Sequence, residues 1–149
     1  MNIDPTPAPV RAAFGLWLLA VATGVLETIV VITSGAAGDN PLPAVLLRGT
    51  IYAVVVLVAL RMRAGRRWAR LTLALALGIL GTLSLVMEPI GWLLDGNSLS
   101  AQLGSADLAW WLTATFRTLH IAAVWSAVPL MFTPAASRFF HRAPAPLPA

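Results

Sequence analysis

Four long apolar segments separated by short polar connections set the pattern of this 149-residue chain. Each segment is close to or longer than the roughly 20 residues that an α-helix needs to cross a bilayer. The pattern therefore predicts an all-α protein, an integral membrane bundle of four transmembrane helices forming one domain. The predicted spans cover residues 12–33, 42–60, 68–87 and 108–132.

Helix-breaking residues set the predicted boundaries. The first segment ends in the turn-rich sequence SGAAGDNP at residues 34–41. Glu88-Pro89 is predicted to end the third span, because the residue before a proline is biased away from the helical conformation. The proline- and alanine-rich tails at residues 1–10 and 143–149 are predicted to be extended or disordered, since they have little apolar surface to bury.

An arginine-rich loop separates the second and third predicted spans. It contains Arg61, Arg63, Arg66, Arg67 and Arg70. Cytoplasmic loops of membrane proteins are enriched in Lys and Arg, so these residues are predicted to determine the topology, with the loop and both termini in the cytoplasm. Because all ten basic residues are arginine, the composition is typical of a GC-rich bacterial genome, and a bacterial plasma membrane is the expected location.

Composition supports this class and narrows the possible partners. Hydrophobic residues make up 58% of the chain and charged residues 11%, whereas about 25% of residues are charged in soluble proteins. Half of the basic residues lie in the arginine-rich loop, so topology explains the net charge of +4 and no nucleic-acid partner is predicted. There is no cysteine, which excludes disulfides and thiolate-bound metals, and no cofactor or metal site is predicted.

Four ionisable side chains fall within the predicted spans, at Glu27, Arg48, Arg117 and His120. Such a side chain costs about 2.5–3.5 kcal/mol in a membrane helix, so it needs a partner, a hydrated cavity or a function. Glu27 lies seven residues before Ser34, just past the end of the first span, and Arg117 lies seven residues after Trp110 on a helix of opposite direction. Both depths are roughly 10 Å, so an ion pair between the two side chains is geometrically allowed. Such a pair would either fix helix register or form a site for a proton, an ion or a headgroup; the third alternative is that both side chains snorkel unpaired towards the interface.

His120 and Thr113 extend the polar face of Arg117, each about one helical turn away along the fourth span. His120 is predicted either to bond a backbone carbonyl or to receive a proton relayed from Glu27. Arg48, near the start of the second span, and Glu88, at the end of the third, are both predicted to lie close to the outer interface. Arg48 is predicted to pair with Glu88 or to bind a lipid phosphate, with Tyr52 one turn deeper on its face. The sequence leaves these alternatives open.

The segment Arg61-Met-Arg-Ala-Gly-Arg-Arg-Trp-Ala-Arg70 resembles a basic-Gly-x-x-Trp-Ala-Arg loop of small four-helix membrane proteins of actinobacteria. The opening Pro9-Val-Arg-Ala-Ala-Phe-Gly-Leu-Trp17 is similar to their openings. This resemblance implies a lineage and a four-span topology, and no activity. Ala22-Thr-Gly-Val-Leu-Glu27-Thr looks faintly similar to the first span of small multidrug resistance transporters, but an arginine at the depth of Glu27 would compete with their cationic substrates.

The leading functional hypothesis is a non-enzymatic accessory or scaffold subunit. Small residues at helical spacing in the first and third spans would let it pack closely against lipids, other membrane proteins or a second copy of itself. The alternative is a small transporter or a proton-linked ligand-binding protein that uses Glu27, Arg117 and His120. A lipid-modifying enzyme would instead need Glu88, Asp95 and Asp107 to converge in one pocket.

Overall fold

The computed structural model describes residues 6–141, except for the side chain of Glu88, and contains no strand among them. Its elements are α1 (Ala8–Thr33), α2 (Leu42–Arg63), α3 (Arg67–Thr72), a π-helical segment (Leu73–Gly81), α4 (Thr82–Leu94), α5 (Leu99–Ser105), α6 (Leu108–Met131) and α7 (Pro134–His141). The predicted all-α class is confirmed. The predictions for residues 1–5 and for the tail at 143–149 lie outside the described residues.

Three helices in the described part of the chain are long and apolar enough to cross a membrane. They are α1, α2 and the long third helix, which runs through α3, the π-helical segment and α4 from Arg67 to Leu94. A fourth candidate is α6 taken together with α7, which is bent from it by 64°. The structure therefore supplies three or four of the long apolar helices that the hydropathy pattern predicts.

The long helices form an up-and-down bundle with two distinct ends. Short turns connect α1 to α2 and α2 to the long third helix, so successive long helices are antiparallel. At one end, which we call the arginine end, the guanidinium of Arg63 lies 5.1 Å from the ring centre of Phe14, and Gly65 lies beside the ring of Phe139. The start of α1, the α2–α3 turn and α7 therefore share this end. The 34–41 turn and the segment from Asp95 to Asp107 form the opposite end.

The packing is centred on α1, which makes its most extensive contact with α6 and a smaller one with α2. Fully buried side chains concentrate towards the arginine end and include Trp17, Met62, Leu73, Val124, Met131 and Phe140. Two glycines allow close approach further along the bundle. A Cβ at Gly24 would lie 2.9 Å from the Tyr52 hydroxyl, and one at Gly78 would lie 3.0 Å from Val128. Small residues thus bring neighbouring helices into contact, a feature that is also enriched at helix interfaces of membrane proteins.

The structure moves two predicted boundaries. Helix α1 begins at Ala8, so residues 8–10 form its first turn and are not extended. Pro9 is compatible with this position, because the first turn has no intrahelical acceptor for its N–H groups. Helix α4 continues through Pro89 to Leu94 instead of ending at Glu88. A proline in an apolar helix interrupts one hydrogen bond, but leaving the helix would expose several backbone groups at once.

Helix α7 is a short amphipathic element folded against the arginine end. Thr133 precedes it, and its Oγ1 accepts a hydrogen bond from the backbone N–H of Ala136 at 3.4 Å, as an N-cap does. Ala136 and Phe140 are buried, whereas Arg138 is exposed. One face of α7 therefore packs against the bundle, and the other is exposed.

Candidate functional site

Glu27 of α1 and Arg117 of α6 are in contact, in the part of the bundle nearer the opposite end. Arg117 donates to Oε1 of Glu27 from Nε at 3.1 Å and from Nη2 at 2.8 Å. Glu27 is only 4% exposed, so a nearly buried carboxylate faces a guanidinium. Breaking a buried pair by removing one partner typically costs about 3–5 kcal/mol. The two charges whose depths match in the sequence therefore form an ion pair that joins α1 to α6.

His120 lies on the same helix as Arg117 and is bonded to the backbone of α1. Its Nδ1 is 2.8 Å from the carbonyl oxygen of Ala20. Because a carbonyl can only accept a hydrogen bond, Nδ1 must carry the proton, and Nε2 is the nitrogen that can gain or lose one. Of the two sequence-based alternatives, the carbonyl bond is the one that the structure shows. Any proton transfer through this residue would have to use Nε2.

Arg48 and Tyr52 of α2 converge on Thr28 of α1. Arg48 donates from Nη1 to Thr28 Oγ1 at 3.2 Å, and the Tyr52 hydroxyl lies 3.2 Å from the same oxygen. Sequence reasoning placed Arg48 and Tyr52 on one face but missed Thr28, whose only signal was its polarity within an apolar span. The predicted pairing of Arg48 with Glu88 lies outside the described side chains.

These polar residues line one cavity between the helices, with a volume of about 480 Å³. Its polar lining consists of Glu27, Arg48, Tyr52, Ser84, Arg117 and His120, and the rest is mainly apolar. We call it the central cavity. Ser84 comes from α4, so all of the long helices contribute. Sequence reasoning missed this residue too, since a lone serine in an apolar run has no distinctive spacing.

A second cavity, of about 470 Å³, lies between the central cavity and the opposite end. We call it the vestibule. Its lining includes Ser34, Asp107 and Thr113, together with Arg48 and Arg117. Because both arginines line both cavities, they stand at the junction between them. Asp107 also caps α6, since its Oδ1 accepts from the backbone N–H of Trp110 at 2.8 Å.

The five arginines that are predicted to determine the topology divide into two groups. Arg61, Arg63 and Arg66 are exposed. Arg67, although exposed, donates from Nε to the carbonyl oxygen of Phe140, and Arg70 is only 9% exposed. The last two therefore contact the C-terminal helix as well as contributing charge.

Arg70 is held between two aromatic rings. Its guanidinium lies 4.7 Å from the ring centre of Phe132 and 4.9 Å from that of Phe140. Nη1 also lies 3.4 Å from the carbonyl oxygen of Met131, at the C-terminal end of α6, where a cation is favoured. Sequence reasoning did not foresee this cluster, because nothing in an arginine-rich loop indicates which arginine is buried.

Three or more His, Cys, Asp or Glu side chains do not cluster anywhere in the part of the chain that the structure describes, so those residues offer no metal centre. Comparison with protein families, with curated proteins and with solved structures finds no match to this chain. The function is therefore argued from the site. Its chemistry is that of two guanidinium groups, one paired carboxylate and one imidazole around a largely apolar cavity.

Proposed function

We propose that this protein crosses the bacterial plasma membrane four times, with the arginine end in the cytoplasm, and binds a small ligand in the central cavity. The length and apolarity of the helices support insertion. The five arginines at one end support the orientation, because basic residues accumulate on the cytoplasmic side. In this orientation the vestibule faces outwards, and α7 lies at the cytoplasmic surface.

The observation that carries the ligand-binding proposal is the convergence of the polar side chains on one cavity. Charged residues within membrane helices are costly and commonly mark ligand or ion pathways. Here Glu27, Arg48 and Arg117 come from three helices and line the same space. A volume of about 480 Å³ lies within the range of ligand pockets, which combine apolar walls with a few oriented polar groups. The vestibule supplies a route to it.

The described polar groups favour binding or transport over catalysis. The hydroxyl of Ser84 donates to the carbonyl oxygen of Gly81 at 2.8 Å, so it is bonded within its own helix. The carboxylate of Glu27 is bonded by Arg117, and His120 is bonded to a carbonyl oxygen. A hydrolytic site would need a nucleophile bonded to a general base, and these contacts do not provide that pair. We therefore propose a non-enzymatic role.

The chain contains no cysteine, so single-cysteine variants can test whether the central cavity is open to water. Ser84→Cys places a thiol in the cavity lining. Leu83→Cys is the matched control, because Leu83 is the adjacent residue and its side chain is 54% exposed on the bundle surface, which would face lipid. Each variant would be treated with a membrane-impermeant maleimide in sealed right-side-out vesicles.

We expect Ser84→Cys to react and Leu83→Cys to remain unmodified, since the reactive thiolate forms only in contact with water. Labelling of Ser84→Cys by the impermeant reagent would support a hydrated cavity that opens outwards. If neither variant reacts, the cavity is not accessible from outside and the ligand-binding proposal is wrong. Equal labelling of both would contradict the proposed position of α4 in the bilayer.

An accessory subunit is the second candidate. The observation that favours it is the small buried share of α2 and of the third helix, 11% and 12% of their most apolar stretches. Faces this exposed require either lipid or the helices of another membrane protein or a second copy. Crosslinking in native membranes tests this candidate, because an accessory subunit gives a specific larger product and a self-contained binding protein gives the monomer.

A further inference from the structure

Arg48 is a cation to which the described residues offer only neutral contacts. Its Nη1 donates to Thr28 Oγ1 at 3.2 Å, and the one ion pair found among the described side chains joins Arg117 to Glu27 and does not involve Arg48. A guanidinium has five N–H donors. Four of the donors of Arg48 therefore lack a partner among the described residues, at a position that lines both cavities.

The hydroxyl of Thr28 cannot do more for this arginine. It donates its single hydrogen to the carbonyl oxygen of Gly24 at 2.8 Å. It must then accept from both Arg48 and Tyr52, which uses its two lone pairs. The hydrogen bonds of Thr28 are complete, so among the described residues the remaining donors of Arg48 can serve a group that enters the cavity. The guanidinium fork suits a carboxylate or a phosphate.

An apolar groove continues from the central cavity along α2. It has a volume of about 290 Å³ and lies between α2 and the π-helical segment. It shares Ile51, Val55, Ala76 and Leu77 with the central cavity. It extends to Val58, ten residues from Arg48, a distance of roughly 15 Å along the helix. That is about half of the 30 Å hydrocarbon core of a bilayer, the depth that one acyl chain covers in one leaflet.

We propose that this site binds an anionic amphiphile, with its carboxylate or phosphate on Arg48 and its hydrocarbon chain in the groove between α2 and the π-helical segment. The inference rests on the proposed ligand-binding function and names the class of ligand. The charge of Arg48 selects against a cation, and the apolar groove gives a hydrocarbon chain surface that a small inorganic anion would leave empty. In the proposed orientation, Arg48 lies towards the outer leaflet.

Native mass spectrometry of the purified full-length protein in a mild non-ionic detergent tests this assignment. The probes are oleate, lysophosphatidylglycerol, oleyl alcohol and inorganic phosphate. The first two carry the carboxylate and the phosphate on comparable chains, and so separate a fatty acid from a lipid headgroup. We expect a one-to-one adduct with at least one of them, and none with the uncharged alcohol or with phosphate alone. Equal binding of oleyl alcohol, or binding of phosphate alone, would overturn the proposal.

Two pairs of variants locate the site. Arg48→Gln should lower adduct occupancy by on the order of tenfold or more, because a charge-assisted hydrogen bond is lost, whereas Arg66→Gln removes the same charge at the arginine end and should leave occupancy unchanged. Ala76→Phe should fill the shared part of the groove and weaken binding with Arg48 intact. Leu75→Phe is its control, because Leu75 is exposed and belongs to neither lining.

Binding that is unchanged in both Arg48→Gln and Ala76→Phe would overturn the assignment, provided that each variant keeps the melting temperature of its control. If either variant unfolds, the other decides the matter. The cysteine labelling of Ser84 separates the two proposals. A hydrated cavity without amphiphile binding rejects only the ligand class, whereas an unlabelled cavity rejects the ligand-binding function itself.

Discussion

Arg70 gives the sharpest prediction about the fold. It is the only one of the five arginines of the arginine-rich loop that is buried. The perturbation is Arg70→Gln, which removes the charge and the two ring contacts. Arg66→Gln is the matched control. Arg66 lies in the same loop and is exposed, so its replacement removes the same charge from the loop and should have little effect on packing.

The magnitude follows from the contacts of the guanidinium. Its separations of 4.7 and 4.9 Å from the rings of Phe132 and Phe140 are cation–π distances, each worth about 0.5–2 kcal/mol. The bonds from Nη1 at 3.4 and 3.5 Å are too long to add much. Relief of the desolvated charge offsets part of the loss. Only Phe140 belongs to α7, because Phe132 directly follows the end of α6 at Met131. The docking of α7 should therefore weaken by about 0.5–2 kcal/mol, which is roughly a 2- to 30-fold change in its equilibrium.

Hydrogen exchange read by mass spectrometry measures this docking directly. When a helix opens locally before exchanging, its amide exchange rates scale with the opening equilibrium. We expect amides of α7 to exchange faster in Arg70→Gln by the factor above, while those in the middle of α1 are unaffected. Arg66→Gln should match the unmodified protein. If the two variants behave alike, Arg70 acts only as a topological charge, and the reasoning about the aromatic contacts is refuted.

Two further predictions concern the central cavity, and both are read as melting temperatures in detergent. Gly24→Ala places a Cβ 2.9 Å from the Tyr52 hydroxyl, whereas the Cβ of Gly15→Ala meets nothing within 4 Å. Gly15→Ala should be neutral or slightly stabilising, and Gly24→Ala should be less stable than Gly15→Ala by about 1–3 kcal/mol. Equal melting temperatures of the two variants would disprove the close contact. Glu27→Gln should cost about 3 kcal/mol because it leaves Arg117 without the carboxylate. The double variant with Arg117→Gln should lose less than the sum of the single losses, so strict additivity would show that the pair is not coupled.

The long helices were predictable because bilayer thickness imposes a minimum apolar length that few soluble sequences meet. The proximity of Glu27 and Arg117 could also be predicted from the sequence, since depth along antiparallel helices can be counted in residues from the span ends. The rotation of each helix about its own axis could not be predicted. A helix that is apolar on all sides carries no face signal, so sequence reasoning could not show that Arg48 and Tyr52 turn towards Thr28.

The remaining differences between the sequence-based predictions and the structure arise where tertiary structure overrides local sequence preferences or where the sequence carries no local signal. Pro89 favours an end to the third helix, but the helix continues because its neighbours have no other hydrogen-bond acceptors in an apolar setting. The π-helical conformation of Leu73–Gly81 could not be predicted, because its alternating Leu and Ala residues form no pattern that is typical of a π-helix. The burial of Arg70 depends on the 64° bend that brings α7 back onto the bundle, and the sequence does not specify the direction of that bend.

The orientation of the bundle is the central claim, because the outward-facing cavity, the outer-leaflet site and the cytoplasmic α7 all depend on it. Labelling of two exposed turns tests it most directly, with Ala36→Cys in the α1–α2 connection and Ala64→Cys in the arginine-rich loop. In sealed right-side-out vesicles, a membrane-impermeant maleimide should modify Ala36→Cys, and should modify Ala64→Cys only after permeabilisation. Labelling of Ala64→Cys in sealed vesicles with protection of Ala36→Cys would reverse the topology, and labelling of both would contradict the membrane-spanning arrangement.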